Sequence, residues 1–79
     1  MTNCISLLGS TGSIGRQTLE VAKALGIRVA ALTANRSVDL MERQCREFLP
    51  ELAVMGDEAA AQELSQRLSG LNVRVAVIR

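Results

Sequence analysis

Four short apolar runs alternate with three longer segments of helical spacing along this chain. The runs are CISLL (4–8), RVAALTA (28–34), LAVM (52–55) and RVAVI (74–78). Each has the length and the apolar or β-branched content of a strand. The segment from 13 to 25 brings Ile14, Leu19, Ala22 and Leu25 near one helical face, and Ser13 is expected to cap it. Gly26 ends it. In the next segment Val38, Met41, Cys45 and Phe48 recur at spacings of three, four and three, after Ser37 as cap and before Pro50. Asp57 is the expected cap of the third, whose stripe is Ala61, Leu64, Leu68 and Leu71, with Gly70 near its end.

Strands alternating with helices in the order βαβαβαβ predict an α/β fold with a Rossmann-like parallel sheet. Right-handed crossovers pack the helices on the sheet, and a three-layer arrangement is expected. No helical segment follows the fourth strand to cover it, although a parallel sheet wants cover on both faces. The fold is therefore expected to be incomplete at the C-terminal end, as the front of a longer protein.

Composition narrows the function classes. With 79 residues there is room for one domain or less. A chain of this size buries only about 60% of its unfolded surface. At 48% hydrophobic and 22% charged residues it is globular in character, with Phe48 as its one aromatic, so the core must be aliphatic. The net charge of +1 and the lack of a basic stripe argue against a nucleic-acid partner. No apolar run approaches the ~20 residues of a membrane span. Cys4 and Cys45 sit in apolar segments and read as two core thiols in a reducing compartment. There is no histidine, and the cysteines lack metal-ligand spacing, so a zinc site is not expected. The first strand begins almost at Met1, which leaves no room for a signal segment and points to the cytoplasm.

The turn after the first strand reads GSTGSIG, with glycines at 9, 12 and 15. Three glycines there suggest one for positive φ, one for close backbone approach and one for tight packing. Backbone N–H groups of Thr11, Gly12, Ser13 and Ile14 would lie near the N-terminus of the first helix, where donors are unpaired and the dipole is positive. A pyrophosphate fits such a place. In this reading Gly12 admits the ligand and Gly15 lets the helix pack on the sheet. The spacing is G-x-x-G-x-x-G, and no Gly-Lys-Ser/Thr follows, so the turn is not a P-loop.

The end of the second strand supplies the second clue. A carboxylate there commonly holds the ribose 2′-OH of NAD. This chain has Asn35-Arg36-Ser37 instead, with no carboxylate until Asp39. Arg36 can meet a 2′-phosphate with a planar, charge-assisted fork, and Asn35 and Ser37 can add hydrogen bonds. The coenzyme expected is NADPH. The other charged residues of the second and third helices read as solvated surface, and none has a stated reason to be catalytic.

The segments ISLLGSTGSIGRQTLEVAK and VAALTANRSVDLMERQCREFLPELAVMGDEAA resemble the N-terminus of the 1-deoxy-D-xylulose 5-phosphate reductoisomerase family. LTAN, the Q-C-x-x-F-x-P pattern (Gln44, Cys45, Phe48, Pro50) and AVM (53–55) carry that resemblance more specifically than the glycine turn does. It implies an NADPH- and divalent-metal-dependent enzyme (Mg²⁺, Mn²⁺ or Co²⁺) that converts 1-deoxy-D-xylulose 5-phosphate to 2-C-methyl-D-erythritol 4-phosphate in non-mevalonate isoprenoid synthesis. It further implies a homodimeric, cytoplasmic parent with no nucleic-acid or membrane partner. Residues 1–79 would be the N-terminal part of its NADPH-binding domain. Thr11, Gly12, Ser13, Ile14, Asn35, Arg36 and Ser37 would bind the coenzyme. No catalytic or metal-binding residue is expected within the chain. Many members carry Gly-Lys-Asn or Gly-Arg-Asn where this chain has Asn35-Arg36-Ser37, so Arg36 alone keeps the pattern's charge.

Two other readings share the same turn. One is the front of another NADP-dependent enzyme, such as a semialdehyde dehydrogenase or an extended short-chain epimerase. The other is a non-enzymatic NADP-binding module complete in itself.

Overall fold

The computed structural model describes residues 4–7, 9 and 12–78. The expected alternation is present: β1 (Cys4–Leu7), α1 (Ser13–Leu25), β2 (Arg28–Ala34), α2 (Val38–Phe48), β3 (Leu52–Met55), α3 (Glu58–Arg67) and β4 (Arg74–Val77). Leu8, read as the last residue of the first strand, lies outside the described residues. All strand pairs are parallel, and the sheet order is β1-β2-β3-β4.

That order decides the layering. Each crossover steps to the next strand in the same direction, so right-handed connections place every helix on the same face. The contacts agree. Lys23 of α1 pairs with Glu47 of α2, and Arg67 of α3 pairs with Asp39 and Glu42 of α2. The described residues thus form two layers of the expected three, a helix layer on a sheet. The opposite face carries half-buried Ala31, Thr33, Val54 and Ala76.

β2 contains an irregularity that its sequence hides. Ile5 stands opposite Val29, but Ser6 stands opposite Ala31, so Ala30 is an extra residue in the ladder. Such a bulge shifts the alternation by one. Val29 and Leu32, three apart, are consequently both buried among the helices.

The core is aliphatic, as expected. Leu32, Met41, Cys45, Ala53, Met55 and Leu64 are fully buried. Burial pushes the Cys45 thiol up to about 11, which makes it inert. Cys4 is exposed, so the expectation of two core thiols is corrected for that residue. Being at the start of the edge strand, it has too few neighbours to be covered.

The buried face of α1 also differs from the expected one. It consists of Gly15, Leu19 and Ala22, while Ile14 is 80% and Leu25 is 69% exposed. Positions 15, 19 and 22 follow the i, i+4, i+7 stripe, and 14 and 25 flank it. Leu19→Ala, at a site 3% exposed, should cost about 2–5 kcal/mol. Leu25→Ala should change stability by less than about 0.5 kcal/mol. Urea midpoints of the two variants check this, and equal losses would place Leu25 in the core.

Candidate coenzyme site

Three loops leave the carboxyl ends of β1, β2 and β3 side by side. In α/β sheets this edge is where ligands bind. Seven residues were expected at the site. Six of them are described, and Thr11 lies outside the described residues.

The glycines of the first turn have separate physical reasons. Gly9 has φ +69°, a conformation that side chains resist. Its N–H donates to Thr33 Oγ1 at 2.8 Å, which ties the turn to the end of β2. Gly15 is buried in the face of α1 that meets the sheet. Gly12 is different. Its φ of −76° suits any residue, and a Cβ there would meet only the Gly9 carbonyl, at an ordinary 3.6 Å. Among the described residues neither conformation nor packing calls for a glycine at 12.

The donor set needs two corrections. Gly12 N–H is engaged with Gly9 C=O at 3.2 Å, because the tight turn closes on itself. The helix's own bonding starts when Arg16 N–H donates to Gly12 C=O at 2.9 Å. The amides without an intrahelical acceptor are therefore those of Ser13, Ile14 and Gly15. Ser13 is also the first helical residue and not the cap. Gly12 takes the cap position, with no side-chain bond. No acidic residue occupies the first turn of α1, so the positive end of its dipole is uncompensated. Exposed Ile14 adds an apolar surface beside it.

The second loop holds Asn35, Arg36 and Ser37, all exposed. Ser37 is the N-cap residue of α2 by position, as expected, but its side chain makes no capping bond. The Arg36 side chain is 79% exposed and, among the described residues, pairs with one carboxylate, Asp57 at 3.8 Å from Nε. Asp39, the nearest acid in sequence, is drawn onto Arg67 instead, and that guanidinium holds its carboxyl below the usual range. Reading Arg67 as solvated surface missed its role. It bonds Asp39, Glu42 and Glu63 together and joins α2 to α3 behind the loop.

Sequence reasoning also missed Thr33, Gly56 and the loop contact of Asp57. Thr33 lies within the quoted LTAN segment, and its position two residues before Asn35 was the available signal. Asp57 caps α3 as expected, its Oδ2 accepting from Ala60 N–H at 3.0 Å. Among the described residues no three His, Cys, Asp or Glu side chains come together as metal ligands.

Thr33→Val keeps the shape of the side chain and removes the acceptor of Gly9 N–H. It should cost about 1 kcal/mol and speed hydrogen exchange at the Gly9 amide, with Gly56 N–H unaffected. Unchanged protection at Gly9 would mean that the hydroxyl does not hold the turn.

Comparison with known proteins identifies the family. A family model described as 1-deoxy-D-xylulose 5-phosphate reductoisomerase matches residues 5–79. The reductoisomerase of Ruminiclostridium cellulolyticum is 55% identical over 75 residues, which is 95% of this chain and 20% of that protein. That of Acetivibrio thermocellus is 52% identical over 75 residues, with the same shares of 95% and 20%. The solved Zymomonas mobilis reductoisomerase in complex with NADPH superposes with a TM-score of 0.91 at 32% identity, over 98% of this chain and 21% of that one. A reductoisomerase solved with NADPH, fosmidomycin and magnesium gives 0.87 at 29% identity, over 96% and 19%. This chain spans about a fifth of the length of the curated relatives it matches. With its sequence matched from Ile5 onward and its parallel sheet shared with the solved members, the chain belongs to the 1-deoxy-D-xylulose 5-phosphate reductoisomerase family.

Proposed function

We propose that this chain is the N-terminal NADPH-binding portion of an enzyme that rearranges and reduces 1-deoxy-D-xylulose 5-phosphate to 2-C-methyl-D-erythritol 4-phosphate. The observation that carries the reading is Gly12. Among the described residues nothing requires its lack of a side chain, and it sits on a turn bonded to the strand that leads into exposed Arg36. NADPH supplies a hydride when bound. This chain's part is to bind and orient it.

In this reading the turn at Thr11, Gly12, Ser13 and Ile14 receives the pyrophosphate. The amides of Ser13, Ile14 and Gly15 and the uncompensated helix dipole supply the attraction. Asn35, Arg36 and Ser37 receive the ribose 2′-phosphate, with Arg36 giving the charge and the hydroxyl of Ser37 spared from capping. Residues 1–79 then form part of a coenzyme domain. The divalent metal and the substrate phosphate are held by residues outside this chain. A homodimeric, cytoplasmic parent without nucleic-acid or membrane partners belongs to the same reading and rests on the family likeness alone.

The test is coenzyme binding to the full chain, followed by amide NMR or fluorescence with NADPH and with NADH. NADPH should bind more tightly and shift the amides of 12–15 and 36. Arg36→Glu should lower NADPH affinity by about 10- to 100-fold and leave NADH nearly unchanged, since it replaces charge-assisted bonds with repulsion. An unaltered preference would remove Arg36 from the site. Gly12→Val should weaken both coenzymes by more than about ten-fold with the fold intact, because its branched Cβ fills the space that the pyrophosphate needs. Undiminished affinity would reduce the turn to a structural one.

A further inference from the structure

The β3–α3 turn presses on the loop that carries Arg36 at three points. Gly56 N–H donates to the carbonyl of Ala34 at 2.9 Å and to that of Asn35 at 3.2 Å. A Cβ on Gly56 would stand 2.5 Å from Asn35 Oδ1 and 3.5 Å from Asn35 Cα. Gly56 is not in the left-handed region, so a larger residue there would have to move only the Asn35 side chain. The third point is Asp57. Its Oδ2 is fixed on Ala60 N–H, and its Oδ1 stands 3.8 Å from Arg36 Nε.

This division of the carboxylate matters. The helix cap holds one oxygen, so the other is a charge at a set place and not on a roaming side chain. It faces Nε of a guanidinium that is otherwise in water. An arginine approached at Nε keeps its terminal amino edge for a second anion. Arg36 is thereby restrained without being used up.

We propose that Asp57 is a positioning residue for coenzyme selectivity, orienting the Arg36 guanidinium toward the ribose 2′-phosphate while Gly56 keeps the loop against β3. The proposal rests on the reading of Arg36 as the 2′-phosphate contact. The opposite effect is also physical, because a carboxylate this close to a phosphate repels it. The sign of the change on neutralising Asp57 decides between the two.

Asp57→Asn removes the charge and keeps an oxygen that can cap α3, so the fold survives. Dissociation constants for NADPH and NADH are measured on the full chain for wild type, Asp57→Asn, Arg36→Gln and the double variant. Exposed ion pairs change affinities by about two- to five-fold, and Asp57→Asn should raise the NADPH constant by that factor with the NADH constant unchanged. In the Arg36→Gln background it should change neither. A merely structural role would move both coenzymes together. The proposal is overturned by an unchanged NADPH to NADH ratio, or by tighter NADPH binding in Asp57→Asn, when Arg36→Gln does weaken NADPH relative to NADH. If Arg36→Gln also leaves the ratio unchanged, the reading of Arg36 fails, and the proposal falls with it.

Discussion

Parallel strands end together, and the loops that follow them must satisfy their backbone groups across one another. That constraint organises this molecule. Gly9 N–H reaches the Thr33 hydroxyl, and Gly56 N–H reaches the carbonyls of Ala34 and Asn35. β1 is thus tied to β2, and β3 to β2, just beyond the ladder's last pairs. These ties hold the three loops beside one another. The glycine turn and the Arg36 loop owe their relative positions to Thr33, a residue that touches neither ligand group in the proposed reading.

Charge is sorted by the same packing. An acid near the end of β2 would favour a ribose hydroxyl and repel a 2′-phosphate. Asp39 is close enough in sequence to do so, yet it and Glu42 pair with Arg67 of α3, which also pairs with Glu63 of its own helix. Arg46 adds to this by bonding Glu42 and the Arg67 carbonyl. The clamp that holds α2 to α3 pairs these carboxylates with Arg67, and Asp57 is the one carboxylate paired with Arg36 among the described residues.

Much of this was legible in the chain, and the exceptions have causes. Alternation of strand-like and helical segments gave every element, because aliphatic runs and caps such as Asp57 act locally. The bulge at Ala30 was not legible, since alanine suits either face and leaves no mark when the alternation slips. Ile14 and Leu25 looked like core by chemistry, but the stripe of α1 is centred on Gly15, which carries no hydrophobic signal. The glycine turn announced an anion, but not which amides it would leave open, because that depends on Gly12 bonding back to Gly9. Gly56 looked like a loop glycine. Only the fold brings it against Asn35, 21 positions earlier in the chain.

The strand order sets what this arrangement can hold. Dinucleotides lie across the crevice where strand order reverses, with one half of the coenzyme on each side of that point. Among the described residues the order runs from β1 to β4 without reversal, and β1 is at the sheet's edge. The loops after β1, β2 and β3 consequently make one wall of such a crevice. That wall carries the features suited to phosphate: the open amides of α1, an uncompensated helix dipole and an exposed arginine. It offers little for a nicotinamide ring, since the ring's recognition requires donors and acceptors on the far side of β1. In the proposed reading, phosphate recognition and hydride chemistry are thus physically separable in this fold, and this chain supplies residues for the first.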